Sequence, residues 1–174
     1  MKTFNKRGDQ GETSLCYGER VAKSSPRPEA YGAVDEAISA LGLARALSKT
    51  PRVREIVCSL QQDLSILCAE LATAPDHYDK LKNKNWVVTP AMVDGLEKLI
   101  DEFEQELEMP KAFVVPGASP GSAALHLART LIRRAERRAV GLHRDNLIDN
   151  EQVLAYLNRA SDLVFTLARY EEDQ

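Results

Sequence analysis

Five stretches of this chain place apolar residues at three- and four-residue steps, and that recurrence restricts the fold more than any other feature. Ala30, Val34, Ala37, Ile38, Leu41, Ala44 and Leu47 form one stripe, the spacing that lines up side chains on one face of an α-helix. Val53, Ile56, Val57, Leu60, Leu64, Leu67 and Leu71 form a second, and Val93, Leu96, Ile100, Phe103 and Leu107 a third. A fourth helix is predicted from Ser119-Pro120 to about Leu142, and a fifth from Asp149 or Asn150 to about Arg169. Thr50-Pro51, Thr89-Pro90 and Ser119-Pro120 each set a capping hydroxyl before a proline, and Pro28 opens the first helix. A proline lacks the N–H that has no partner in a first turn anyway. Each helix is then roughly 18 to 23 residues, or about 30 Å long, so all five can lie side by side over their length. The pattern predicts an all-α fold, a five-helix bundle.

At 174 residues the chain suits one domain with one core. Residues 1–27 carry Gly8, Gly11 and Gly18 and no helical period, so they read as an extended N-terminal loop ahead of a bundle spanning 28–172. Residues 73–88 read as a polar surface connection, and Phe113-Val114-Val115-Pro116-Gly117 is too short and too near a proline for a strand. The longest run without a charged residue, Ala112 to Ala128, is broken by Pro116, Gly117, Pro120 and Gly121, which argues against a membrane span. Cys16, Cys58 and Cys68 are odd in number and form no CxxC pair, and no apolar stretch follows the early basic residues. A reduced, cytoplasmic protein is the expectation.

Charge is where the chain stops being bland. Lys and Arg number 23 against 26 Asp and Glu, a net charge of −3, so any anion site has to be local. ARTLIRRAERRAV, residues 128–140, holds Arg129, Arg133, Arg134, Arg137 and Arg138 around a single Glu136, a net +4 on three turns. Arg129, Arg133 and Arg137 recur every four residues and so stand above one another, with Arg134 and Arg138 about 100° round the helix. Such a face is ordinarily solvated or packed as arginine stems on a neighbour. Five like charges offset by one acid nevertheless call for an external anion or acidic partner, and the planar guanidinium suits phosphate oxygens.

Lys6-Arg7-Gly8-Asp9-Gln10-Gly11-Glu12-Thr13-Ser14 offers a second cationic, hydroxyl-bearing segment whose backbone N–H groups could turn toward phosphate. Neither a P-loop nor a dinucleotide-binding glycine pattern is present, so a nucleotide site here is of another kind. His77, His126 and His143 lack zinc-ligand spacing, and His126 reads as a packed helix histidine. Asp35 and Glu36 could favour the dipole of the first helix or pair with an arginine elsewhere. Asn158 and Asp162 share a face of an otherwise apolar stripe, and a buried polar pair there needs partners, arginine being the obvious one.

The blocks KRGDQGETSL, ERVAKSSPRPEAYGAVDE, FVVPGASPGSAALHLARTLIRRAERRAV and YLNRASDLVFTLARY stand in the order and at the spacing of the PduO-type ATP:cob(I)alamin adenosyltransferases, over the full length of the chain. The sequence resembles that family. The resemblance implies a ferritin-like five-helix bundle that assembles as a homotrimer, with ATP held between the N-terminal loop of one subunit and the arginine-rich helix of its neighbour. It places Asn5, Lys6, Arg7 and Gly8, with Thr13, Ser14 and Lys23, in the triphosphate-wrapping segment. Arg133, Arg134, Glu136 and Arg137 fall on the nucleotide-binding positions and Asn158 on the Asn of LNR. Arg133, Arg129 and Asp35 take the catalytic positions, the last two as the pair that bridges subunits. Phe113 resembles the aromatic residue that crowds the lower face of the corrin. The chain departs from the family at Asn5-Lys6-Arg7-Gly8-Asp9 for Thr-Lys-Thr-Gly-Asp, at Ala37-Ile38 within DELNS, and at Ala118 within PGGS.

The resemblance also implies the reaction, an adenosyl transfer from ATP to cob(I)alamin, with Mg²⁺ accompanying ATP and no metal held by a protein motif. Reduced cobalt is its own nucleophile, so the chain needs no serine, cysteine or general base. A cobalamin-dependent enzyme or a reductase is an implied partner; a membrane or nucleic acid is not. Two other readings stay open: a carrier or regulator that binds ATP or corrinoid without turnover, and an RNA- or acidic-protein-binding bundle. The net charge and the 6% aromatic content count against RNA, since single-strand binders stack bases on aromatic rings.

Overall fold

The computed structural model describes residues 4, 6–108 and 110–173. Two short strands, β1 (Glu12–Ser14) and β2 (Arg20–Ala22), precede α1 (Pro26–Leu47) and α2 (Pro51–Leu71). A 3-10 turn (Pro75–His77) and the short α3 (Tyr78–Lys82) lead to α4 (Pro90–Glu106), α5 (Pro120–Arg144) and α6 (Gln152–Glu172). The five long helices are the five predicted; α3 makes a sixth inside the stretch expected to be plain connection. α1 begins at Pro26 rather than Pro28, because either proline can occupy a first turn whose N–H groups have no helical acceptor.

Local chemistry sets the other helix starts. Thr89 Oγ1 accepts from Met92 N at 3.4 Å and Ser119 Oγ from Ser122 N at 3.1 Å, each satisfying a first-turn donor. Thr50 makes no such bond; the buried Glu171 of α6 instead accepts from Lys49 N at 2.5 Å and Thr50 N at 3.3 Å. A carboxylate therefore sits at the positive end of α2.

α1 packs most extensively on α5, which also carries α6; α4 lies on α6 and α2 on α1. Ala30, Ala33, Ala37, Ala40 and Ala44 on α1 and Ala124, Ala128, Ala135 and Ala139 on α5 are all buried, so the two backbones approach closely. At the start of α5 a Cβ on Gly121 would lie 3.0 Å from Ser48 Cα, a tight contact that glycine avoids. Leu60, Leu64, Leu67, Phe103, Tyr156 and Leu163 fill the wider space toward α2, α4 and α6, each burial favouring the fold by about 1.5–3 kcal/mol for an aliphatic or phenyl side chain.

The N-terminal segment, expected as a loop, contains an antiparallel hairpin in the register Glu12↔Ala22, Thr13↔Val21, Ser14↔Arg20. Strands of three residues are too short for an alternating pattern to show, and the turn is made by left-handed Tyr17 (φ 72°) and Gly18 (φ 100°). The hairpin is seated on the bundle through buried Leu15 and through Cys16, whose N–H donates to Ala72 O at 2.9 Å. The polar connection 73–88 is pinned by a buried carboxylate: Glu70 accepts from Tyr78 Oη (2.6 Å), Val88 N (2.7 Å) and Asn150 Nδ2 (2.8 Å). Among the described residues no helix is long and apolar enough to cross a membrane, and all three cysteines are free thiols.

Candidate functional site

α5 presents its arginines in two rows with different surroundings. Arg134 pairs with Glu36 of α1, and Arg138 lies 3.5 Å from Glu29 of the same helix. The other row, Arg133 and Arg137, is exposed, and among the described residues neither meets a carboxylate at ion-pair distance. Glu136, on the side of the Arg133 row away from Arg134, accepts from Asn158 Nδ2 of α6 at 3.2 Å, while Asn158 Oδ1 accepts from Arg159 Nη1 at 2.7 Å. Asn158 is half-buried and has both an acid and an arginine as partners; Asp162 is exposed, so the expected buried pair is a single residue. Glu29 and Arg159 are the partners that sequence reading does not pick out. Glu29 and Glu36, seven apart, share one face of α1, as Arg134 and Arg138, four apart, share one face of α5.

Arg129 lies lower on the Arg133 row and is half-buried, its guanidinium carbon 6.0 Å from the Phe165 ring centroid and its Nε without a hydrogen-bond partner. His126, one turn away, is 3% exposed and edge-on to Phe165. Burial, then the charges of Arg129 and Arg169, holds its pKa below the usual histidine value, so it is a packed neutral side chain rather than a base offered to a substrate.

Asp35 is exposed on α1 and, among the described residues, makes no ion pair with Arg129. It lies near the seat of the hairpin. The Cys68 thiol, pushed up to about 11 chiefly by burial, also feels the charge of Asp35 and the neighbouring Cys16. Such a thiol is a poor nucleophile at neutral pH.

The N-terminal candidates gather at the hairpin. Lys6 is left-handed at φ 59°, Asp9 N donates to Lys6 O at 3.4 Å and Gly11 N to Gly8 O at 3.3 Å, so residues 6–11 fold as a tight turn. Lys23 N donates to Gly11 O at 2.8 Å, and a Cβ on Gly8 would stand 3.1 Å from Lys23 Nζ; glycine leaves room for that ammonium. Arg20 ties the segment together, donating to Arg7 O (2.8 Å), Glu12 Oε2 (3.2 Å) and Ser14 Oγ (3.3 Å). Thr13 is half-buried on β1. Asn5 lies outside the described residues.

Among the described residues, no hydrogen bond or ion pair joins Lys6, Gly8, Thr13, Ser14 or Lys23 to the arginines of α5. The candidate residues thus fall on two elements, the hairpin segment and α5. Phe113 belongs to neither: it is wholly exposed on the loop between α4 and α5, with Val115 also exposed beside it.

Residues 3–171 match the cobalamin adenosyltransferase family. A corrinoid adenosyltransferase of Citrobacter freundii is 38% identical over 171 residues, covering 98% of this chain and 95% of that protein. The corrinoid adenosyltransferase PduO of Salmonella typhimurium is 38% identical over 173 residues, and the chain spans half of its length. Among solved structures, a phenylalanine-to-histidine variant of the PduO-type ATP:corrinoid adenosyltransferase from Lactobacillus reuteri, complexed with cobalamin and ATP, is 34% identical. It superposes with a TM-score of 0.90 over 99% of this chain and 91% of that one. Agreement in sequence and in backbone over nearly every residue has one reading: the chain belongs to the cobalamin adenosyltransferase family.

Proposed function

We propose that this chain transfers the 5′-deoxyadenosyl group of ATP to cob(I)alamin at sites formed between neighbouring copies of a homotrimer in the cytoplasm. The observation that carries the reading is the exposed row of Arg133 and Arg137 on α5, which no carboxylate of the described residues engages. A head-to-tail ring joins the hairpin of one copy to α5 of the next.

Cob(I)alamin attacks C5′ of ATP, a Co–C bond forms, and the C5′–O bond breaks with its electron pair leaving on triphosphate. The protein's work is to hold C5′ in line and to neutralise the leaving charge. Arg133 and Arg137 are suited to that work because no carboxylate of the described chain engages them. Lys6, Arg7 and Lys23 bring positive charge from the other side, and Gly8, Thr13 and Ser14 shape the turn around the phosphates. Arg134, Glu136 and Asn158 extend the nucleotide surface. Arg129 with its unpartnered Nε, and Asp35, supply a cation and an anion for a bridge between subunits. Phe113 forms an apolar wall against the corrin, where excluding an axial ligand makes cobalt easier to reduce.

The donor set on these two elements is cationic and hydroxylic, which suits Mg²⁺ that arrives held by triphosphate oxygens and water. When bound, Mg²⁺ offsets phosphate charge. A reductase that supplies cob(I)alamin and an enzyme that uses adenosylcobalamin are the partners this reading calls for.

The test mixes the protein with ATP, Mg²⁺ and chemically reduced cobalamin and follows formation of the light-sensitive Co–C bond. Binding of both without product would leave a carrier. Shared sites are tested by mixing two inactive variants, Lys6→Ala and Arg133→Ala, after subunit exchange. About a quarter of the interfaces then combine two intact halves, and no regained activity would rule out a site shared between copies.

A further inference from the structure

Arg27 stands in the first turn of α1 with only 7% of its surface exposed. Its donors go to main-chain carbonyls: Nη1 to Leu71 O and to Thr73 O, each at 2.9 Å, and Nη2 to Leu147 O. Leu71 ends α2, Thr73 follows it, and Leu147 lies in the turn between α5 and α6. A planar fork reaches these acceptors from two separate nitrogens, whereas a lysine would have to serve all three from one. Burial holds the guanidinium below its ordinary pKa, while Glu19, at the end of the hairpin turn, pulls the other way.

The same strip of backbone seats the hairpin. Cys16 N donates to Ala72 O at 2.9 Å, and Cys16 pairs with Thr73 in a parallel bridge. Ala72 thus lies between the two residues whose carbonyls Arg27 holds. Without the guanidinium these buried carbonyls lose their donor, a penalty the chain relieves by moving residues 71–73 toward water. Whatever moves that strip moves the hairpin with it.

We infer that Arg27 is a positioning residue for the nucleotide segment: through residues 71–73 it sets where Lys6, Gly8, Thr13, Ser14 and Lys23 stand relative to the bundle. The inference rests on the reading of that segment as the triphosphate-binding one. It separates Arg27 from a general structural role, because its loss should weaken the use of ATP and spare the use of cobalamin.

Amide hydrogen exchange and steady-state kinetics of Arg27→Met and Arg27→Lys provide the test. In Arg27→Met, exchange at Cys16 and Lys23 should rise about tenfold or more while that at Ile132 in α5 holds, with Arg27→Lys in between. The KM for ATP should rise about tenfold and that for cobalamin stay within about twofold. Unchanged exchange at Cys16, or equal rises in both KM values, overturns the inference. If Arg27→Met does not fold, Cys16→Pro takes away the donor to Ala72 O while leaving Arg27 in place, and should raise the KM for ATP in the same selective way. A folded Cys16→Pro with wild-type KM for ATP overturns it as well. A wild-type protein without turnover would sink the reaction reading, while the exchange data would still decide what Arg27 holds.

Discussion

Two rows of arginine run along α5, one residue out of step, and they differ in what the rest of the chain does to them. Arg134 and Arg138 face α1 and meet Glu36 and Glu29. Arg133 and Arg137 meet no carboxylate among the described residues, and the nearest acid in sequence, Glu136, is bonded to Asn158. The net charge of a helix therefore says little about where an anion sits. What matters is the charge left over after the fold has paired what it can, and here the remainder forms a row four residues apart on one face.

The sharpest way to break this distinction is Arg133→Ala. Loss of a donor aimed at a leaving group costs about a hundredfold or more in turnover, and the thermal midpoint should stay put because Arg133 is exposed. If Arg134→Ala falls as far as Arg133→Ala, the two rows are equivalent and the comparison fails. Asn158→Ala comes next: it removes the half-buried donor to Glu136, a charge-assisted bond whose loss is worth about 1.5–3 kcal/mol. About a tenfold loss of ATP use is expected from the freed carboxylate, read as a rise in the KM for ATP with the KM for cobalamin unchanged. Arg134→Ala should do less. Both partners of its pair with Glu36 are about half exposed, so stability should fall by no more than ~1 kcal/mol. Glu36→Gln should match that loss, and a double-mutant cycle measures the coupling.

The two rows also mark how far the sequence could be read. The arginine spacing was plain from residues 128–140, as were the helix starts at Thr50-Pro51, Thr89-Pro90 and Ser119-Pro120, because each depends on neighbours within a turn. Which row is neutralised depends on Glu29 and Glu36, about a hundred residues away on a helix packed through small alanines, and no local pattern encodes that meeting. Arg27 shows the same limit. It reads as one more cation in a polar stretch, and only the folding of residues 71–73 and 147 around it turns it into a buried donor. The hairpin is silent in the sequence for a different reason, since three-residue strands carry too few positions to alternate.

The smallest effect tests the lower end of the Arg133 row, where Arg129 leans over Phe165 and His126 lies buried beneath it. Burial comes first in keeping His126 neutral, and Arg129 on its own helix and Arg169 on α6 add to it. Glu172 stands 4.0 Å from His126 Nε2, already engaged with Arg169. In the unfolded chain the imidazole gains a proton as the pH falls through its ordinary value of 6.5, and in the folded chain it does so only at lower pH. The unfolded state then binds more protons, so stability is complete above that value and declines below it, by at most about 1.4 kcal/mol per pH unit. His126→Phe keeps an apolar ring against Phe165 and removes the titration. Its thermal midpoint should fall less steeply than the wild type's between about pH 7 and about pH 5. An equal slope in the two proteins would mean that His126 takes up its proton in the fold as readily as in the unfolded chain, and that burial does not hold it neutral.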